Sequence, residues 1–457
     1  MIESRTGGMI TFAGAVLAAY VAASLAVQGG SALLAVVAIP FLLTILIFPD
    51  VGIVGFTIFY PLLPTSEGIS MAEVASAAIL ILLVFAWFFL VEFKAFPSHS
   101  PRRLVPLVAL FGAWLSLSLA IRIYYGGSGM DWVRDIVPLA NLALLLPVKD
   151  FFWRRVPFQR FLTLFVLVLI LVNTRSAMGF LGMRFPVKFV MHGTTYHPVV
   201  LMLIGLALVV SSGRTRLLGL VSVFVTFVFM IGTTNRTSFI AIVLGMALFA
   251  LMRSTRGTTL VLAAAATLIG YFAYLGVMEF RPESLAEKRA RLESLMATDQ
   301  DLSFQNRKDE VLECWRIFLA HPVAGVGLGY PYHFWRHHIQ GLGPGYMDTN
   351  FTHSDFMNLL AKTGGIGALL WILLVGTLLV IGLDAIRLAR EGDPDRDIAI
   401  ALTLSIFMAQ VVGQSTPVMQ SREAMFLFGI VAGLLVALHH RVSAEAKREK
   451  EDAEEAA

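Results

Sequence analysis

Apolar residues run along this chain in long blocks separated by short polar segments. The uninterrupted blocks lie near 9–27, 72–91, 104–121, 161–173, 217–232, 237–252, 259–278, 357–383, 398–413 and 424–439. Shorter ones lie near 31–48, 51–64, 132–148 and 197–211, where Pro40, Pro61, Pro64 and Pro138 blur the ends. Crossing the hydrocarbon of a bilayer takes a helix of about 17–25 residues. The pattern therefore predicts an all-α polytopic membrane protein with about 12–14 transmembrane helices. The exception is one large loop, 279–355, whose 306–320 stretch has helical spacing and which is expected to be partly helical.

Composition agrees: 57% of residues are hydrophobic and 14% charged, against about 25% charged in soluble domains. A net charge of +4, spread along loops, leaves no patch for nucleic acid. With Cys314 as the single cysteine, no internal disulfide forms. Short loops rich in Lys and Arg set the orientation. Lys94, Arg102 and Arg103 mark one; Lys149, Arg154, Arg155 and Arg160 mark another. Arg214 with Arg216, Arg253 with Arg256, Arg387 with Arg390, and the tail after His440 mark the rest. Threading the blocks alternately puts all of these, and both termini, in the cytoplasm. The loop 279–355 falls on the other side, with eight Lys and Arg against eleven Asp and Glu. The expected organisation is a bundle over 1–278, the loop 279–355, further helices over 356–440 and a charged tail 441–457.

Candidate chemistry gathers in and around the loop. Asn306 is placed to cap a helix, with Asp309 three residues on. Val311, Leu312, Trp315, Phe318 and Leu319 then recur at helical spacing, and His321-Pro322 stops them. Arg307 continues that apolar stripe, so it either snorkels to the interface or faces an anion. Gly325-Val-Gly-Leu-Gly329 lacks the preceding strand of a phosphate loop and reads as a turn that brings backbone close to a neighbour. Five histidines lie in the loop, His333 and His337 on one face if that stretch is helical, but without a recognisable metal-ligand set. His353, at the membrane mouth, is either a general base or an ordinary interfacial histidine. Arg236, between two apolar blocks, is costly unless it faces a cavity. Arg175, Arg184 and Lys188 share its side and bind either substrate or lipid headgroups.

Four segments in this order resemble the O-antigen ligase superfamily, which also contains O-antigen and exopolysaccharide polymerases. They are Thr234-Asn-Arg236-Thr-Ser-Phe; Asn306-Arg307 followed by Trp315; His321-Pro-Val-Ala-Gly-Val-Gly-Leu-Gly329; and His353-Ser-Asp-Phe-Met-Asn-Leu-Leu-Ala-Lys-Thr-Gly-Gly-Ile-Gly367. Where many members read His-Asn, this chain reads His353-Ser354. The resemblance implies a GT-C-like membrane glycosyltransferase of the bacterial inner membrane, with the 279–355 loop and the active site periplasmic. The implied donor is an undecaprenyl-pyrophosphate-linked glycan. The implied acceptor is a lipid A core sugar, or a second lipid-linked glycan in the polymerase branch, with membrane lipids around it. It also implies no cofactor and no metal. His353, Arg236 and Arg307 are the expected catalytic residues. Arg175, Arg184, Lys188, Asn306, Trp315, Ser354 and Asp355 are the expected contacts to pyrophosphate or glycan. A flippase for lipid-linked glycans is the competing class, but paired halves and midplane charges are not seen.

Overall fold

The computed structural model describes residues 48–60, 71–92, 104–180, 195–211, 215–232, 236–253, 302–339 and 343–456. The expected blocks at 9–27, 31–48 and 259–278 lie wholly or almost wholly outside these residues. The other blocks are helices: α1 (Pro49–Phe59), α2 (Met71–Glu92), α3 (Leu104–Tyr124), α4 (Gly129–Ala140), α5 (Leu145–Phe151), α6 (Arg155–Phe180), α7 (Tyr196–Val210), α8 (Arg216–Gly232) and α9 (Arg236–Arg253). After them come α10 (Leu302–Ala320), a hairpin of β1 (Tyr332–Ile339) and β2 (Gly343–Thr349), then α11 (Asp355–Leu388), α12 (Pro394–Val412) and α13 (Arg422–Ala456). Among the described residues, α3, α6, α11 and α13 are long and apolar enough to cross a membrane, and several shorter helices are equally apolar.

Burial sorts the helices. On α13, Ala424–Leu438 is buried on every side, and α7 is buried over Tyr196–Leu208. A helix apolar all round belongs in the middle of a bundle. The outer helices α3, α8 and α11 instead expose large apolar side chains, among them Leu117, Phe224 and Leu369. In water such rows would be sticky; in a bilayer they face lipid. At the end of the bundle where α12 begins, buried ion pairs tie helices together: Arg441 to Asp395 at 2.6 Å and Arg253 to Asp397 at 2.9 Å.

The expected block 132–148 is split. α4 contains Pro138, and the chain tightens into a 3-10 turn at Asn141–Leu144 before α5, because proline removes a helical donor. The expected 441–457 tail is a continuation of α13.

One break positions the functional end. α11 is interrupted at Gly364, whose φ of +66° suits glycine. The backbone groups freed there are taken by the segment after α10. Val326 N donates to Ala361 O (3.2 Å) and Gly327 N to Lys362 O (2.8 Å), while Gly365 N donates to Pro322 O (2.8 Å). Unpaired backbone groups are expensive at membrane depth, so this strap is what makes the break tolerable. Gly327 (φ +87°) passes so close to Arg122 that a Cβ would sit 2.6 Å from its backbone nitrogen. The glycine-rich segment thus acts as expected, as a close backbone approach.

Candidate functional site

α10 begins at Leu302, four residues before the expected cap. Asn306 is therefore inside the helix, and its side-chain oxygen instead accepts His337 N at 2.7 Å. The helix ends at Ala320, as His321-Pro322 implied. The face turned to the protein carries Glu310, Cys314 and Ile317, exposed by 1%, 0% and 6%.

The stretch holding His333 and His337 is a strand, not a helix, so the expected shared helical face does not form. Tyr332 and Phe334 point inwards and His333 and Trp335 outwards, the alternation of a half-buried strand. Three of the loop histidines have separate partners: His333 with Asp348 (2.6 Å), His337 with Asp309 (3.0 Å) and His321 with Tyr125 (2.9 Å). Among the described residues, no three His, Cys, Asp or Glu side chains are grouped to hold a metal.

His353 lies just ahead of α11, and its partner is Glu310. The Glu310 carboxylate accepts His353 Nδ1 at 2.8 Å and His353 N at 2.9 Å through Oε2, and Arg336 Nη2 at 3.0 Å through Oε1. A carboxylate has only acceptors to offer, so Nδ1 carries the proton and neutral imidazole keeps its lone pair on Nε2. The ring is 31% exposed on a nearly closed carboxylate. Phe351 flanks it, ring centroids 5.8 Å apart.

The residues after His353 lock this geometry. Ser354 is buried at the N-cap of α11, its side chain making no capping bond. Asp355 N donates to Gly413 O at 2.7 Å. Its carboxylate accepts Val418 N (2.7 Å), Met419 N (2.9 Å) and Gln420 Nε2 (3.1 Å). Asp355 is thus spent on holding the α12–α13 loop. That loop also meets the head of α9, where Thr237 Oγ1 and Ser415 Oγ are 2.8 Å apart. The position of Arg236 is thereby brought to the loop that anchors His353.

Arg307 is on α10 one turn before Glu310, half-buried. Trp315 is on the opposite, exposed face, its ring 5.3 Å from Phe318. Arg175 is near the end of α6. Arg184 and Lys188 lie outside the described residues.

A second charged group, absent from the sequence reading, stands behind the first. Lys362 is fully buried at the break in α11. Its Nζ donates to Asp135 Oδ2 (2.5 Å) and to Asn350 O (2.6 Å), and Asp135 Oδ2 also accepts Gly329 N at 2.6 Å. A cavity of about 350 Å³ opens beside it, lined by Arg134, Asp135, Asn350, Phe351, Gln420 and Ser421 among others. Phe351 thus stands between the cavity it lines and His353. A second cavity of about 310 Å³ lies between α11 and α12, mostly apolar, with Asp355 and Gln414 among its polar residues.

Glu310 and Arg336 were equally missed. The signal for Glu310 was its spacing from Cys314 and Ile317, which marks an inward face, but its partner is 43 residues away.

Residues 220–372 match the O-antigen ligase family model. The matched segment contains Arg236, Arg307, Glu310, Arg336, His353 and Lys362, and all four segments that carried the resemblance. The family expected from the motifs is the one whose model matches over residues 220–372, and that match supports a membrane enzyme of O-antigen ligase or polymerase type. Comparison with curated proteins finds no match.

Proposed function

We propose, from the O-antigen ligase signature over residues 220–372 and the Glu310–His353 contact, that this enzyme transfers a glycan from undecaprenyl pyrophosphate to an acceptor sugar. The observation that carries the reading is a buried carboxylate holding Nδ1 of a histidine whose other edge is open. Such a pair presents Nε2 as a positioned base. The acceptor hydroxyl oxygen attacks the anomeric carbon, and the bond from that carbon to the pyrophosphate oxygen breaks. Undecaprenyl pyrophosphate leaves with the electron pair, and Nε2 takes the hydroxyl proton. Arg307 and Arg236 stabilise the charge developing on the leaving group, since planar guanidinium pairs bidentately with phosphate. Arg175, Arg184 and Lys188 assist in holding donor. The cavity beside Phe351 has room for a sugar ring, and the apolar cleft between α11 and α12 takes isoprenoid chain.

The acceptor in this reading is a lipid A core sugar, and the architecture is of the GT-C type. The site faces the periplasm and both termini are cytoplasmic; reporter fusions at Gln340 and after Ala457 test this orientation. The chemistry runs without metal, so activity persists in excess EDTA. The decisive experiment uses purified enzyme, lipid-linked glycan and acceptor, and reads covalent attachment. Wild type moves the glycan to the acceptor and His353→Gln does not. Full activity of His353→Gln would remove the base from the mechanism, and movement of glycan across vesicles without a new bond would make the protein a flippase. A null strain that builds polymer but leaves it unattached supports the ligase reading; one that makes only single repeats supports the polymerase.

A further inference from the structure

α10 is amphipathic in an inverted sense. Its packed face holds a carboxylate and a thiol, Glu310 and Cys314, while Leu312, Trp315 and Leu319 are 53%, 45% and 61% exposed. Val323, just beyond the helix, adds a fourth exposed apolar residue at 64%. A helix bathed in water places its apolar stripe on the protein. This one turns it away.

We propose that this face of α10 lies against membrane phospholipid, in the headgroup and upper acyl region of the adjoining leaflet. Two contacts place the helix at the ends of the spans. His321, which follows α10, bonds Tyr125 just past the end of α3. Glu310 holds His353, two residues before α11, where Asp355 N meets Gly413 O just past the end of α12. Tyr124 and Tyr125 are exposed where an apolar span ends, the level at which aromatic side chains concentrate in bilayers. α10 packs on α11, where Leu369 is exposed, and the residue after it reaches the end of α3, where Ile123 is exposed. Lys308 is exposed on the same side of α10, placed to meet lipid phosphates, while Arg316 beside it is paired with Glu313 at 2.7 Å. The Lys308 charge favours phospholipid over a second copy of the same face. Immersion of one face also sets the height of the Glu310–His353 pair on the other at the level of headgroups, where the diphosphate of a lipid-linked donor lies. This consequence rests on the transferase reading; the lipid contact does not.

The test uses full-length protein in nanodiscs of phosphatidylcholine and phosphatidylglycerol. Cys314 is fully buried, so a nitroxide can be attached selectively to Leu312→Cys, Leu319→Cys or Val323→Cys. Asp348→Cys on the exposed hairpin is the aqueous reference. Collision with oxygen should exceed collision with a water-soluble nickel chelate several-fold at 312, 319 and 323, and the order should reverse at 348. Nickel collisions at 319 as frequent as at 348 would overturn the proposal. So would a disulfide or spin–spin coupling between two Leu319→Cys copies, which would make the face a homodimer interface. None of these readouts depends on activity, so they stand or fall separately from the transferase reading. Three labelling positions guard against one variant that fails to fold.

Discussion

Replacing Glu310 with glutamine separates a positioned base from a histidine that merely packs. The change keeps volume but gives the buried group one acceptor and one amide donor. Its carboxylate now takes three donors: Arg336 Nη2, His353 N and His353 Nδ1. Glutamine has a single acceptor oxygen, and with that oxygen kept on Arg336 the amide nitrogen takes the Oε2 position, where both bonds to His353 are lost. Each hydrogen bond to a charged group is worth about 1.5–3 kcal/mol. The two that orient His353 thus amount to about 3–6 kcal/mol, or about 10²–10⁴-fold in rate at 1.36 kcal/mol per decade. That range coincides with the usual worth of a general base, about 10²–10⁴-fold. The expected result is a loss of kcat of that size with KM for the lipid-linked donor nearly unchanged, since the arginines proposed to bind pyrophosphate are untouched. Glu310→Asp, which keeps the charge on a shorter arm, should recover part of the rate. Initial rates in nanodiscs measure this, and resistance of Cys314 to maleimide, one turn along the same buried face, reports that α10 is still docked. A docked Glu310→Gln enzyme with wild-type kcat would refute the positioning argument.

Arg236→Ala and Arg307→Ala should each abolish most transfer while the protein still inserts, and lysine should rescue poorly because it lacks the planar fork; near-wild-type initial rates for both lysine variants would exclude bidentate binding. Lys362→Met strands the Asp135 carboxylate. Breaking a buried pair costs about 3–5 kcal/mol, so the thermal midpoint should fall clearly, and Lys362→Met with Asp135→Asn should restore part of it. Equal midpoints for the single and double variants would show that the pair is not coupled. Burial pushes the Cys314 thiol from 9.0 up to about 12. Native protein should therefore resist alkylation at neutral pH and react only on unfolding. The linkage has a definite sign: below the unfolded value neither state ionises, whereas between about 9 and 12 only the unfolded state does, so stability falls as pH rises through that window. Cys314→Ala should lack this part of the alkaline loss in denaturation curves.

The helices of the bundle were legible because a bilayer leaves a long apolar block one choice: it must satisfy its own backbone hydrogen bonds as a helix. For the same reason α2, α3, α8 and α9 begin and end within a few residues of the blocks that announced them. The stop at His321-Pro322 and the close approach of the 325–329 backbone were legible too, since proline and glycine act on the chain locally. His353 stood out by its place at the mouth of α11, and the ordered motifs gave it a family context. Which face of α10 turns inward was not decided by its most apolar stripe, because lipid competes with protein for that stripe. The β1–β2 hairpin was hidden in a stretch whose aromatic residues suit either structure, until pairing and burial of Tyr332 and Phe334 chose the strand. Above all, the contacts that make a site join residues far apart in the chain: Glu310 with His353, Asp135 with Lys362, and the 322–327 strap with the break at Gly364. No local pattern encodes such pairs, because each partner looks ordinary alone, and only packing puts their charges within reach and removes the water that would otherwise satisfy them.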